Sequence, residues 1–200
     1  MKTGEGQVIF SVIIPSYNSE KTIDACLDSV IGQRTALPYE VIVADSSDDN
    51  TKNVVRNKFP SFNLISFETK TDPGTARNVG IERARGSIIV FTDSDCIVPE
   101  NWLEEYYRIY SRKKECLAAG GSLVNANTET LSSIAGYFIE FSDYMPSLPS
   151  GAVLSLPTSN ISFRKEIFDK YGGYKPDMAV RCQEGKRIPA PFLRVSFFVC

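Results

Sequence analysis

The stretch Ile88-Ile89-Val90-Phe91-Thr92-Asp93-Ser94-Asp95 decides the fold. Four consecutive β-branched or aromatic residues with no polar break predict a strand buried on both faces, the kind found inside parallel sheets. Its two carboxylates, one residue apart, then fall at the strand's C-terminal end. In open α/β sheets that edge is where ligands bind, in the crevice outside the carboxyl ends of the strands. Two acids held together there are costly through desolvation and mutual repulsion unless a cation lies between them. Asp93 and Asp95 are therefore candidate metal ligands. A turn in which either carboxylate caps the following helix is the plainer alternative.

The chain before this strand alternates strand and helix. Val8 to Ile14 predicts a first strand that stops at Pro15, whose missing N–H cannot continue a central ladder. After the loop Ser16-Tyr17-Asn18, Ser19 fits an N-cap, and Ile23, Cys26, Leu27, Val30 and Ile31 mark one apolar helix face. Tyr39 to Ala44 predicts a second strand, Asp45 to Asp49 a polar loop and Thr51 to Lys58 a short helix. A third strand covers Phe62 to Phe67, and Ala76 to Arg85 makes a helix that Gly86 ends. Such alternation implies right-handed crossovers and a parallel sheet.

Beyond Asp95, Pro99 suits the first turn of a helix whose Trp102, Leu103, Tyr106, Tyr107 and Tyr110 form an aromatic stripe, read as core packing. Cys116 to Gly120 predicts another strand. Leu131, Ile134, Ala135, Phe138 and Ile139 fit a further helix, and the Pro-, Ser- and Gly-rich stretch from Pro146 to Pro157 reads as a loop over the site.

Composition narrows the chemistry. Two hundred residues suit one domain with a sizeable core, and a net charge of −2 gives no electrostatic reason to expect nucleic acid or an anionic membrane as partner. The five cysteines are scattered without a C-x-x-C pair and read as reduced thiols, which suggests a cytoplasmic protein, soluble or peripheral at the membrane. No apolar run approaches the roughly 18 residues of a transmembrane helix. With no histidine in the chain, acid–base chemistry and metal binding fall to carboxylates, and hard cations such as Mg²⁺ or Mn²⁺ are favoured.

Four blocks in order, "SVIIPSYNSEKTIDACLDSVIGQ" (11–33), "EVIVADSSDDNT" (40–51), "PGTARNVGIERARGSIIVFTDSDC" (73–96) and "SNISFRKEIFDKYGGY" (159–174), resemble family 2 glycosyltransferases of the GT-A fold. A lone Asp-x-Asp is weak; its place after an "ARN-x-G" helix and a hydrophobic strand makes the likeness specific. The resemblance implies an α/β, Rossmann-like, mostly parallel sheet flanked by helices over residues 1–180. It also implies inverting transfer of a sugar from a nucleotide-diphosphate donor, uridine-linked, to the hydroxyl of an unidentified glycan, lipid or protein.

By the same resemblance Asp95 binds Mn²⁺ or Mg²⁺ directly, and Asp93 contacts the ribose and the metal's water shell, with Ser94 between them. Asp45 reads the base edge, against a wall formed by Pro15, Ser16 and Tyr17; an Asx turn in "DSSDDNT" is the bland alternative for Asp45. Arg77 lies near the base or diphosphate, and Gly74 admits close backbone approach. Ser159 and Asn160 line the acceptor side, with turn chemistry as their alternative, while Gly172-Gly173-Tyr174 is a structural turn.

The likeness ends where inverting members carry a Gly-Glu-Asp-like element whose carboxylate deprotonates the acceptor. Here "RCQEGKRIPAPFLRVSFFVC" follows Val180, and after Asp177 the nearest acid is Glu184, the candidate base. The tail 181–200 thus reads as atypical, truncated or out of frame, and the fold as C-terminally incomplete. A catalytically impaired nucleotide-sugar-binding remnant is one alternative. An aspartyl-phosphate phosphatase with Asp93 as nucleophile is another, although that site normally follows the first strand of its domain and here it follows the fourth.

Overall fold

The computed structural model describes residues 7–126, 128–151 and 155–175, together with the backbone of a strand at 193–195. In chain order the elements are β1 (Phe10–Ser16), α1 (Ile23–Ile31), β2 (Tyr39–Asp45), α2 (Thr51–Lys58), β3 (Asn63–Ser66), α3 (Pro73–Arg83), β4 (Ile88–Phe91), α4 (Trp102–Arg112), β5 (Ala118–Gly120), α5 (Leu131–Phe141), β6 (Ile161–Arg164), α6 (Glu166–Tyr171) and β7 (Leu193–Val195). The strands form one sheet in the order β3-β2-β1-β4-β6-β5-β7. Strands β3, β2, β1 and β4 run parallel, and β6 is antiparallel to both β4 and β5. Asp177, Glu184 and the tail expected to be atypical lie outside the described residues, apart from β7, which pairs parallel with β5.

All four residues of β4 are fully buried, as an uninterrupted apolar strand in the middle of a two-faced sheet must be. Alternation divides them. Ile88 and Val90 pack with α1 and with Trp102, Leu103, Tyr106 and Tyr110 of α4, so the aromatic stripe is core. Ile89 and Phe91 face the opposite layer with Ile81 of α3 and Ile167 of α6. Helix α5 forms where its period places it, yet it buries no residue, and Leu131, Phe138 and Ile139 are exposed.

Several boundaries differ from the sequence reading. Strand β1 continues through Pro15 to Ser16, pairing with β2 as far as Asp45. Ile13 O accepts from Thr92 N–H on the β4 side, so Pro15, two residues on, turns its missing N–H the same way. The β1–β4 register ends at Phe91, and no ladder bond is lost. Helix α1 begins at Ile23 with Thr22 in the cap position, while the Ser19 carbonyl accepts from Thr22 and Ile23 N–H. Helix α3 starts three residues earlier than its apolar period suggests, because Asp72 Oδ1 accepts from Thr75 N–H and Pro73 supplies a preset φ at the first helical position. Pro99 precedes α4, its carbonyl accepting from Trp102 N–H.

Helix α3 ends at Arg83, and Gly86 serves a different purpose: a Cβ there would lie 2.6 Å from Ser11 N. That close approach lets Gly86 N–H donate to Ser11 Oγ, which in turn donates to Glu40 Oε1 at 2.7 Å. Glu40 also accepts from Arg85 N–H and Arg85 Nε, tying β1, β2 and the end of α3 together. Burial acts to raise the Glu40 carboxyl, but the bonds from Ser11 and Arg85 outweigh it and hold it below the ordinary value. A depressed folded pKa stabilises above the unfolded value and is lost as pH falls through the folded one. Glu40→Gln is expected to lower unfolding free energy by about 1–2 kcal/mol at neutral pH and to flatten the acid limb below about pH 4, read by urea titration across pH. An unchanged acid limb would show that the clamp contributes nothing.

Candidate functional site

Three loops meet at the C-terminal edge of the sheet, after β1, β2 and β4. The first two interlock through backbone N–H groups. Asn18, in the left-handed region at φ 49°, donates its N–H to Ser47 Oγ and accepts from Asp48 N–H at Oδ1. Ser19 N–H donates to Thr51 Oγ1. Asparagine tolerates that backbone conformation, so the turn needs no glycine.

Asp45 is fully buried at the end of β2. Its Oδ2 accepts from Ser47 N–H and its Oδ1 from Ser47 Oγ at 2.6 Å, which is the Asx turn. The turn leaves further lone pairs on both oxygens. Tyr17 is half-exposed beside it, and the Lys70 ammonium stands 4.3 Å from its ring centroid. Lys70 lies in the β3–α3 loop and was not anticipated from sequence, since no local pattern predicts which loop cation reaches which ring.

At the end of β4 the carboxylates part company. Asp93 Oδ1 accepts from Arg77 Nη2 at 2.7 Å, whereas Asp95 is exposed and pairs with no basic side chain among the described residues. Ser94 is buried, and its hydroxyl shares a 2.7 Å hydrogen bond with Ser19, pinning the β4 loop to the loop after β1. That explains the spacing: a small hydroxyl points inward while the acids on either side face the edge. Burial, and then the neighbouring Asp95, push the Asp93 carboxyl up, with the Arg77 guanidinium opposing them. Burial and the two acids also push the Cys96 thiol up to about 12, so it stays neutral and is no nucleophile at ordinary pH.

Of the four buried side-chain polar atoms without a partner among the described residues, Ser16 Oγ, Thr92 Oγ1 and Arg77 Nε lie in the same elements, and the fourth, Asp24 Oδ1, is on α1. Orphans of this kind are uncommon in folded chains and fit an edge completed by a polar ligand. Among the described residues no group of three or more Cys, Asp or Glu is placed to hold a metal ion. Asp93 and Asp95 suit a cation whose remaining ligands come from water and phosphate oxygens.

Two expected site residues serve the fold. At Gly74 an added Cβ would meet Asp72 Oδ1 at 3.1 Å and Tyr174 Cβ at 3.3 Å, so the chain that approaches it is the protein's own. Asn160 is fully buried: Oδ1 accepts from Trp102 Nε1 and Tyr106 OH, and Nδ2 donates to Ser122 O. The "SNIS" block therefore anchors α4 to β6, with Ser159 buried beside it. The signal was present in the sequence as two indole and phenol donors four residues apart, each needing a buried acceptor.

The family description Glycosyl transferase family 2 matches residues 11–172. The chain belongs to this family. Glycosyltransferase AglE of Haloferax volcanii is 30% identical over 173 residues, covering 82% of this chain and 55% of AglE. Staphylococcus aureus TarS 1-349 in complex with UDP-GlcNAc shares the fold at TM-score 0.68 and 22% identity, over 96% of this chain and 58% of that one. Mannosyltransferase PcManGT from Pyrobaculum calidifontis, in complex with GDP-Man and Mn²⁺, matches at TM-score 0.67 and 21% identity, over 94% and 56%. The chain thus spans little more than half the length of these proteins. The expected α/β, mostly parallel GT-A sheet is present, and among the described residues no helix is long and apolar enough to cross a membrane.

Asn160→Ala strips the acceptor from two buried donors and is expected to cost roughly 2–4 kcal/mol, seen as a lower urea midpoint with or without ligand. Wild-type stability in that variant would contradict the structural role.

Proposed function

We propose that the protein transfers a sugar from a nucleotide-diphosphate donor, uridine-linked, to an acceptor hydroxyl with inversion. The observation that carries the reading is the Arg77–Asp93 pair beside an exposed Asp95 that, among the described residues, pairs with no basic side chain, at an edge where three buried polar atoms lack partners among those residues. The nucleotide-sugars in the TarS and PcManGT structures, the latter with Mn²⁺, support the same choice of donor class.

In this reading Asp95, with Asp93, holds Mn²⁺ or Mg²⁺ against the diphosphate. When bound, the cation offsets the negative charge that grows on the leaving phosphate, without a proton donor. Asp93 also accepts from the ribose, and Arg77 aims that carboxylate and acts against the burial that pushes it up. Asp45, already turned by Ser47, uses its free lone pairs on the base edge, with Pro15, Ser16 and Tyr17 as the wall. Inversion requires a base for the acceptor hydroxyl, and Glu184, outside the described residues, is the candidate.

Thermal unfolding with UDP and Mn²⁺ tests the donor half. A ligand at a hundred times its dissociation constant stabilises by about 2.7 kcal/mol. Wild type should show that metal-dependent gain. Asp95→Ala should lose it while its ligand-free Tm stays within about 2 °C, because an exposed carboxylate contributes little to the fold. Full Mn²⁺-dependent stabilisation of Asp95→Ala would overturn the metal assignment, and UDP binding without donor hydrolysis in wild type would favour a binding remnant over a transferase.

A further inference from the structure

Asn78, next to Arg77 on α3, makes a reciprocal pair with the backbone of Tyr174, the last residue of the turn at 172–174: its Nδ2 donates to Tyr174 O at 2.6 Å and its Oδ1 accepts from Tyr174 N–H at 2.7 Å. The two glycines before Tyr174 are required for this docking. Gly172 adopts φ 79°, and a Cβ on Gly173 would lie 2.1 Å from Asn78 Oδ1. Gly74 leaves room for Tyr174 over the first turn of the helix.

Docked in this way, the Tyr174 ring meets Phe91 of β4 edge-on at 5.7 Å and lies 5.7 Å from the Arg77 guanidinium carbon. It thereby touches both elements that carry the Arg77–Asp93 ion pair. Arg77 Nε has no partner among the described residues, so beyond its bond to Asp93 the guanidinium depends on packing to keep its direction. We propose that Tyr174, held by Asn78, is a positioning residue that aims Arg77 at Asp93 and so sets the geometry of the donor site. Its consequence for ligand binding rests on the donor reading above.

Two readouts keep the latch and the donor reading apart. Solvent exchange of the Arg77 Nε–H, followed by ¹⁵N NMR without ligand, should speed up about tenfold or more in Tyr174→Ala and stay near wild type in Tyr174→Phe, which keeps the ring. UDP affinity in the presence of Mn²⁺ should fall about tenfold in Tyr174→Ala and recover in Tyr174→Phe. Gly173→Ala, which leaves the ring but drives a methyl into Asn78, should move both readouts in the same direction as Tyr174→Ala. If Tyr174→Ala does not fold, Tyr174→Leu, which keeps apolar bulk against Phe91, takes its place. Wild-type exchange in a folded Tyr174→Ala or Tyr174→Leu protein, or a Phe variant as impaired as Ala, would overturn the latch. A wild type that fails to bind UDP with Mn²⁺ would sink the donor reading, and the exchange comparison would still decide the latch.

Discussion

A guanidinium whose side chain is 5% exposed needs an anion, and Arg77 has Asp93 at 2.7 Å. The constraint acts in both directions. Burial and Asp95 push the Asp93 carboxyl up, and the Arg77 guanidinium acts against both. Much of the C-terminal edge follows from keeping this pair together. The Asp72 cap and Pro73 start α3 early enough to bring Arg77 to the end of β4, and the Ser19–Ser94 bond fixes the loop that carries Asp93. A third support comes from just beyond the matched region, where Tyr174 packs on Arg77 and Phe91. Residues separated by about half the chain thus converge on one charge pair, and Asp95 is left exposed beside it.

What the sequence showed and what it hid divide along physical lines. Elements whose signal is an unbroken period or run were legible: β4 as a doubly buried strand, α4 as an aromatic core helix, α5 as a helix. Ends set by single hydrogen bonds were not. The N-cap expected at Ser19 failed because that hydroxyl lies nearer Ser94, a partner 75 residues away. Pro15 was expected to end β1, yet a parallel strand alternates its polar groups between neighbours, and the missing N–H falls where pairing with β4 has ceased. The start of α3 was readable from Asp72-Pro73, a cap pattern that the apolar period obscured.

The site itself was legible as a set of residues and not as a set of roles. Asp93, Asp95, Asp45 and Arg77 all stand at the predicted edge, but the Arg77–Asp93 pairing requires knowing that two elements cross. Asn160 shows the other side: a polar residue in a functional-looking block satisfies Trp102 and Tyr106 inside the core. Helix α5 is the place where pattern and packing separate. Its apolar period is clear, yet Leu131 and Ile139 stay exposed, because periodicity predicts a face and says nothing about what covers it.

The most direct test of the central claim is paramagnetic. With UDP present, substoichiometric Mn²⁺ should broaden the amide signals of residues 92–96 and of the first turns of α3, and UDP alone should shift the Asp45–Ser47 loop. Broadening centred elsewhere, or unchanged signals at Asp93 and Asp95 while UDP and Mn²⁺ bind, would contradict a donor site built on the Arg77–Asp93 pair.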